Sequence, residues 1–227
     1  MTTNRREFLE HLGTAAMLGA LPLTTTPGLR ALAESAPAPA EGFDFSWTNK
    51  LKGKPHKAVF DNAEVDSAYG VWRAGMWEGQ YQESFGLKPA DTQTVLVLRH
   101  NAIVLAFQQP FWDANAIGES SKATHPLTQQ GIARNPALLS SAADQGFPAQ
   151  FDAFALNNFI ARGGIVLACN VALGFFAMGL AQKLNISQDE ARSRALAAFL
   201  PGVTLQPSGV FACVRAQEAG CAYVRAS

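Results

Sequence analysis

"GGIVLACNVALGFF" (163–176) is the stretch that decides the fold. "IVLAC" is a short apolar, β-branched run that reads as a strand buried on both faces. It stops at Cys169, and "NVALGFFAMGLAQKLNI" (170–186) begins at once as an apolar helix. A strand that passes straight into a helix is half of a βαβ unit, whose partner strands are expected on either side of it.

Upstream, "HKAVFDNA" (56–63) reads as a buried strand and "EVDSAYGVWRAGMWEGQYQESFG" (64–86) as a helix closed by Gly86. "TQTVLVLRH" (92–100) is a second apolar strand, and "NAIVLAF" (101–107) continues it with no clear type. Residues 108–150 are rich in Pro, Gly, Ser and Gln and lack periodicity, as expected of a long insertion that forms a lid, a contact surface or an elaboration. "FDAFALNNFIARGG" (151–164) reads as a helix leading into the 165–169 strand. Downstream, Ser187 and Glu190 form a capping pattern for a helix over 187–202, followed by a strand (203–209), a helix (210–220) and a last strand (221–226). Strands alternating with helices predict a three-layer α/β/α, doubly wound domain with a mainly parallel sheet of about five strands.

The first 33 residues carry Arg5-Arg6, a weakly apolar segment from Leu12 to Leu23 and the small-residue site Ala31-Leu32-Ala33. That is the layout of an export signal, and "NRREFL" resembles the twin-arginine type. The expected product is periplasmic. Residues 34–54 read as a Pro/Ala-rich linker, in which "ESAPAPAEG" (34–42) has the composition of a disordered spacer. The folded domain is then expected over 55–227. Charge is balanced, with 18 basic and 18 acidic side chains and no basic stripe, which argues against a nucleic-acid partner. No further apolar run of spanning length follows the leader.

In a parallel α/β sheet, ligands gather at the carboxyl ends of the strands. Four such ends here carry polar or reactive groups: Asp61-Asn62, His100-Asn101, Cys169-Asn170 and Pro207-Ser208. Cys169 would meet the first free N–H groups of its helix, where the dipole favours thiolate. The same residue also suits a small core position, and both readings stand. His100 is a candidate base or hydrogen-bond partner at that edge, or a structural histidine. Cys213 and Cys221 either pair as a disulfide or pack in the core. Walker, G-x-G-x-x-G, G-x-S-x-G, C-x-x-C and HExxH motifs are absent from the sequence, and "DNAEVDSAYG" (61–70) lacks the composition of a phosphate-binding loop. The sequence gives no reason to expect a cofactor or a metal.

Taken together, "HKAVFD", "VLVLRHNAIVLAF", "IARGGIVLACNVAL" and the closing "LPGVTLQPSGVFACVRAQEAGCAYVRA" resemble the DsrE-like family of sulfur-carrying α/β proteins, over roughly residues 55–226. The resemblance implies that Cys169 holds sulfane sulfur as a persulfide, with His100 beside it. It further implies a homo-oligomer, and a partner thiol protein or small sulfur compound. The alternative expectation is a non-catalytic periplasmic binding or assembly protein in which Cys169 is structural.

Overall fold

A computed structural model describes residues 42–227. The export signal and the "ESAPAPAE" part of the spacer lie outside the described residues. Five strands form one sheet: β1 (His56–Asn62), β2 (Thr92–Leu98), β3 (Ile165–Cys169), β4 (Val203–Gln206) and β5 (Ala222–Arg225). Their order is β4-β3-β2-β1-β5, and every pairing is parallel. The helices are α1 (Tyr69–Phe85), α2 (Gln109–Ala114), α3 (Ile117–Ser120), α4 (Leu156–Ala161), α5 (Asn170–Leu184), α6 (Gln188–Ala197) and α7 (Gly209–Glu218). The architecture is the α/β/α sandwich that the alternation of elements predicts.

The period of two divides the central strands between two apolar layers. Ala58, Phe60, Leu96, Leu98, Val166 and Ala168 face the larger layer, which holds Val71 and Ala74 of α1 and Ala172 and Leu173 of α5. Val59, Val95, Val97, Ile165 and Leu167 face the smaller one, with Ala212, Cys213 and Ala216 of α7. Cys221 lies in that second layer too, and both it and Cys213 are free thiols, so the core reading holds and the disulfide does not form.

Strand order and layers together position the site. From β1 to β4 the chain marches across the sheet in one direction, with its connections on the Phe60 side. After β4 it crosses to the other face, runs through α7 and returns to the far edge as β5. The loops after β3 and β4 therefore depart to opposite faces. Adjacent parallel strands whose connections diverge open a crevice at their carboxyl ends.

Two regions differ from the sequence expectation. The folded unit begins before residue 55: a 3-10 helix, Ser46–Leu51, buries Trp47 and Leu51 in the smaller layer. Trp47 Nε1 donates to Gln206 Oε1 at 3.1 Å, tying the segment to the end of β4. The 108–150 insertion is ordered and anchored rather than a loose loop. Buried Trp112 donates to the Val104 carbonyl at 2.8 Å. Fully buried Asn135 donates to the Leu105 and Phe107 carbonyls at 3.0 and 2.9 Å. Short polar side chains and turns pin this segment, and its two helices, α2 and α3, are too short to show a helical period. The uncertain stretch after β2 is a 3-10 helix, His100–Ala106, whose apolar residues are buried because it crosses the larger layer.

Candidate functional site

A cavity of about 1180 Å³ lies at the carboxyl edge of the sheet. Residues after every strand reach it: Glu64 after β1, Arg99, His100 and Asn101 after β2, Cys169 ending β3, Ser208 after β4 and Ser227 after β5. The insertion supplies Ser121, Lys122, Thr124 and Gln129. Ser67 Oγ and Thr124 Oγ1 share a hydrogen bond of 2.6 Å that fastens this wall to the β1 loop.

Cys169 sits where the chain switches from strand to helix, and it is the one cysteine lining the cavity among the described residues. It is 6% exposed. Its backbone is extended, and its Sγ accepts a long hydrogen bond of 3.4 Å from the Ala172 amide in the first turn of α5. The sulfur thus occupies the N-cap position, where the unpaired amides of a helix start favour negative charge. Ser208 holds the equivalent position on α7, its Oγ accepting from the Phe211 amide at 3.0 Å. Two helices therefore begin on the wall of one cavity.

His100 and Asn101 also line the cavity, but they are engaged with a carboxylate. His100 Nδ1 lies 3.2 Å from Glu64 Oε1, and Asn101 Nδ2 donates to Glu64 Oε2 at 2.7 Å. The His100 side chain is 64% exposed, its φ is +50°, and no hydrogen bond joins it to Cys169. His100 thus shares the cavity with Cys169, while its hydrogen bond goes to Glu64.

Of the remaining strand-end candidates, Asn170 starts α5 and its Oδ1 accepts from Arg192, away from the cavity lining. Asn62 is fully buried with no hydrogen-bond partner for either amide atom, tucked where Gly70 leaves room: a Cβ on Gly70 would stand 2.0 Å from Asn62 Oδ1. Asp61 is 5% exposed and lies behind the cavity wall. It accepts from Arg99 Nε at 2.6 Å, Arg99 Nη2 at 3.0 Å and the Tyr223 hydroxyl at 2.6 Å. Burial alone would raise the Asp61 carboxyl, but these donors outweigh it and hold it below the usual carboxylate range. The same hydrogen bond pushes Tyr223 up to about 12. Burial, then the Asp61 charge, push the Cys213 thiol up to about 12, which keeps it neutral.

Arg99 is the cavity residue that sequence reading passed over. It ends an apolar strand beside the expected His100, and its ion pair with Asp61 appears only once β1 and β2 are in register, Asn62 against Leu98. Gly209 allows its approach: a Cβ there would lie 2.4 Å from Arg99 Cβ. Among the described residues no cluster of His, Cys, Asp and Glu could hold a metal ion, and no helix is long and apolar enough to cross a membrane. No protein-family model matches the chain, and no curated protein matches it significantly.

Proposed function

We propose that this chain is an exported, DsrE-like carrier of sulfane sulfur, with Cys169 as the acceptor. The observation that carries the reading is the position of Cys169, a helix-capping thiol on the wall of a large cavity at the point where the loops of β3 and β4 diverge. A thiolate there would attack the outer sulfur of a small donor such as thiosulfate. The sulfur–sulfur bond of the donor breaks, sulfite leaves with the electron pair, and a Cys169 persulfide forms. A partner thiolate would then attack the terminal sulfur, taking it away and restoring Cys169. Self-association belongs to the same reading.

Incubation with thiosulfate or polysulfide followed by intact mass spectrometry tests this. The expected result is one added sulfur on wild type and none on Cys169→Ser; equal uptake by both overturns it. The alternative, a non-catalytic binding or assembly protein, is favoured by the low exposure of Cys169 and by the use of its Sγ as a cap. Fast alkylation of Cys169 in the folded protein overturns that alternative.

A further inference from the structure

We infer that the cavity binds a small organic anion, a carboxylate or sulfonate carrying an apolar body, with its charged end at Arg99 and its body along the α5 side. The inference rests on the reading above only in taking the same cavity as the working site. A sulfane donor of a few atoms fills a small part of about 1180 Å³, a volume suited to a larger ligand.

The polar groups are divided by sign. Of the acidic groups on the wall, Glu64 is hydrogen-bonded to His100 and Asn101, and Asp66 faces Arg73 at 3.3 Å. Arg99 spends Nε and Nη2 on Asp61, which leaves Nη1 without a partner among the described residues. Lys122 likewise makes no side-chain hydrogen bond or ion pair among them. The arginine is held rigidly, because its carboxylate partner is itself buried and locked by Tyr223. A guanidinium fixed in this way presents donors at little entropic cost, and the two helix starts at Cys169 and Ser208 add field of the same sign. The apolar contacts come from Ile103, Val171, Phe175 and Val210, of which Phe175 and Val210 are 67% and 65% exposed. Large apolar side chains left in water at the mouth of a cavity whose wall also carries Lys122 and the spare Nη1 of Arg99 are the lining an amphiphilic anion requires.

The probe is 8-anilinonaphthalene-1-sulfonate, an apolar body with a sulfonate, titrated by fluorescence against the full-length folded protein. Wild type is expected to bind one equivalent saturably. Arg99→Gln is expected to bind about tenfold more weakly. That change also unpairs Asp61, so a second pair of variants avoids the fold. Val210 is exposed in the first turn of α7, where an acidic side chain suits the helix. Val210→Glu, which adds an anion to the cavity, is expected to bind about tenfold more weakly than the uncharged Val210→Gln. Equal affinities for Val210→Glu and Val210→Gln, or no saturable binding by wild type, overturn the inference. Charge-dependent binding without sulfur uptake by Cys169 retains it and sinks the carrier reading; sulfur uptake with charge-independent binding does the reverse.

Discussion

Asp61→Asn tests the polar buttress behind the cavity. The carboxylate satisfies two guanidinium donors and one phenol, and the amide keeps only one oxygen. Its NH2 would face an Arg99 N–H, donor against donor, and the arginine would lose its counter-charge. Breaking a deeply buried ion pair costs about 3–5 kcal/mol. Arg99 retains partial solvent access, with a side chain 33% exposed, so roughly 2–3 kcal/mol at pH 7 is the expected loss. For a domain of this size that is a fall in Tm of roughly 4–12 °C. Because the native Asp61 carboxyl lies below its ordinary value, its contribution is fully present above the unfolded-state value of about 4. It fades as pH falls through the lower native value, where wild type is protonated too. Thermal unfolding followed by circular dichroism from pH 7 to pH 3 should therefore show the two proteins converging as the solution acidifies. Crossing the variant with Tyr223→Phe should reveal non-additivity of about 0.5 kcal/mol or more, since both changes touch one network. A Tm difference under about 1 °C at pH 7, or one that grows on acidification, would refute the buttress.

Two further predictions bear on the boundary of the fold and on its thiols. Trp47→Ala should destabilise by about 3–5 kcal/mol in a denaturant titration, because it empties a buried site and orphans Gln206 Oε1; a loss under about 1 kcal/mol would place residues 46–51 outside the cooperative unit. Burial pushes the Cys213 and Cys221 thiols up to about 12 and about 11, so stability they confer as neutral groups is complete below pH about 8.5 and is lost as pH rises through those values. At pH 8 a small alkylating agent should modify Cys169 before either of them, and peptide mapping that finds Cys213 labelled first would contradict the assignment of layers.

The legible part of the fold is the part whose environment repeats along the chain. β1, β2 and β3 are covered on both faces, so each holds an unbroken apolar run, Ala58–Phe60, Val95–Leu98 and Ile165–Cys169, and Ser187 announces the helix it caps. The carboxyl-edge rule brings Cys169, His100, Asn101 and Ser208 to one cavity because it follows from parallel strands alone. The rule is silent on where a side chain turns once it arrives. Asp61 follows Phe60, so it projects to the smaller layer and meets Arg99 there, while Asn62 projects under α1. Linker composition concealed the Ser46–Leu51 helix, since one tryptophan in a short polar stretch has no period to reveal it. Tyr223 could be matched to Asp61 only by knowing that β5 lies beside β1, a pairing across the whole length of the domain.

The same return of the chain explains why Cys169 and Arg99 belong to one site. Had β5 been added beyond β4, α7 would pack at that edge, and no helix start would lie against Arg99. Because the chain instead doubles back across the sheet, α7 begins over the β3–β4 crevice and lies against β1, β2 and β3. Gly209 in its first turn then passes close enough to Arg99 to exclude any larger residue. β5, delivered to the far edge, supplies the tyrosine that locks the partner of that arginine. One crossover thus sets the capping thiol on one side of the cavity and a braced cation on the other. A Gly209→Ala change should accordingly disturb anion binding more than sulfur uptake at Cys169, because its methyl group meets Arg99 and not the thiol.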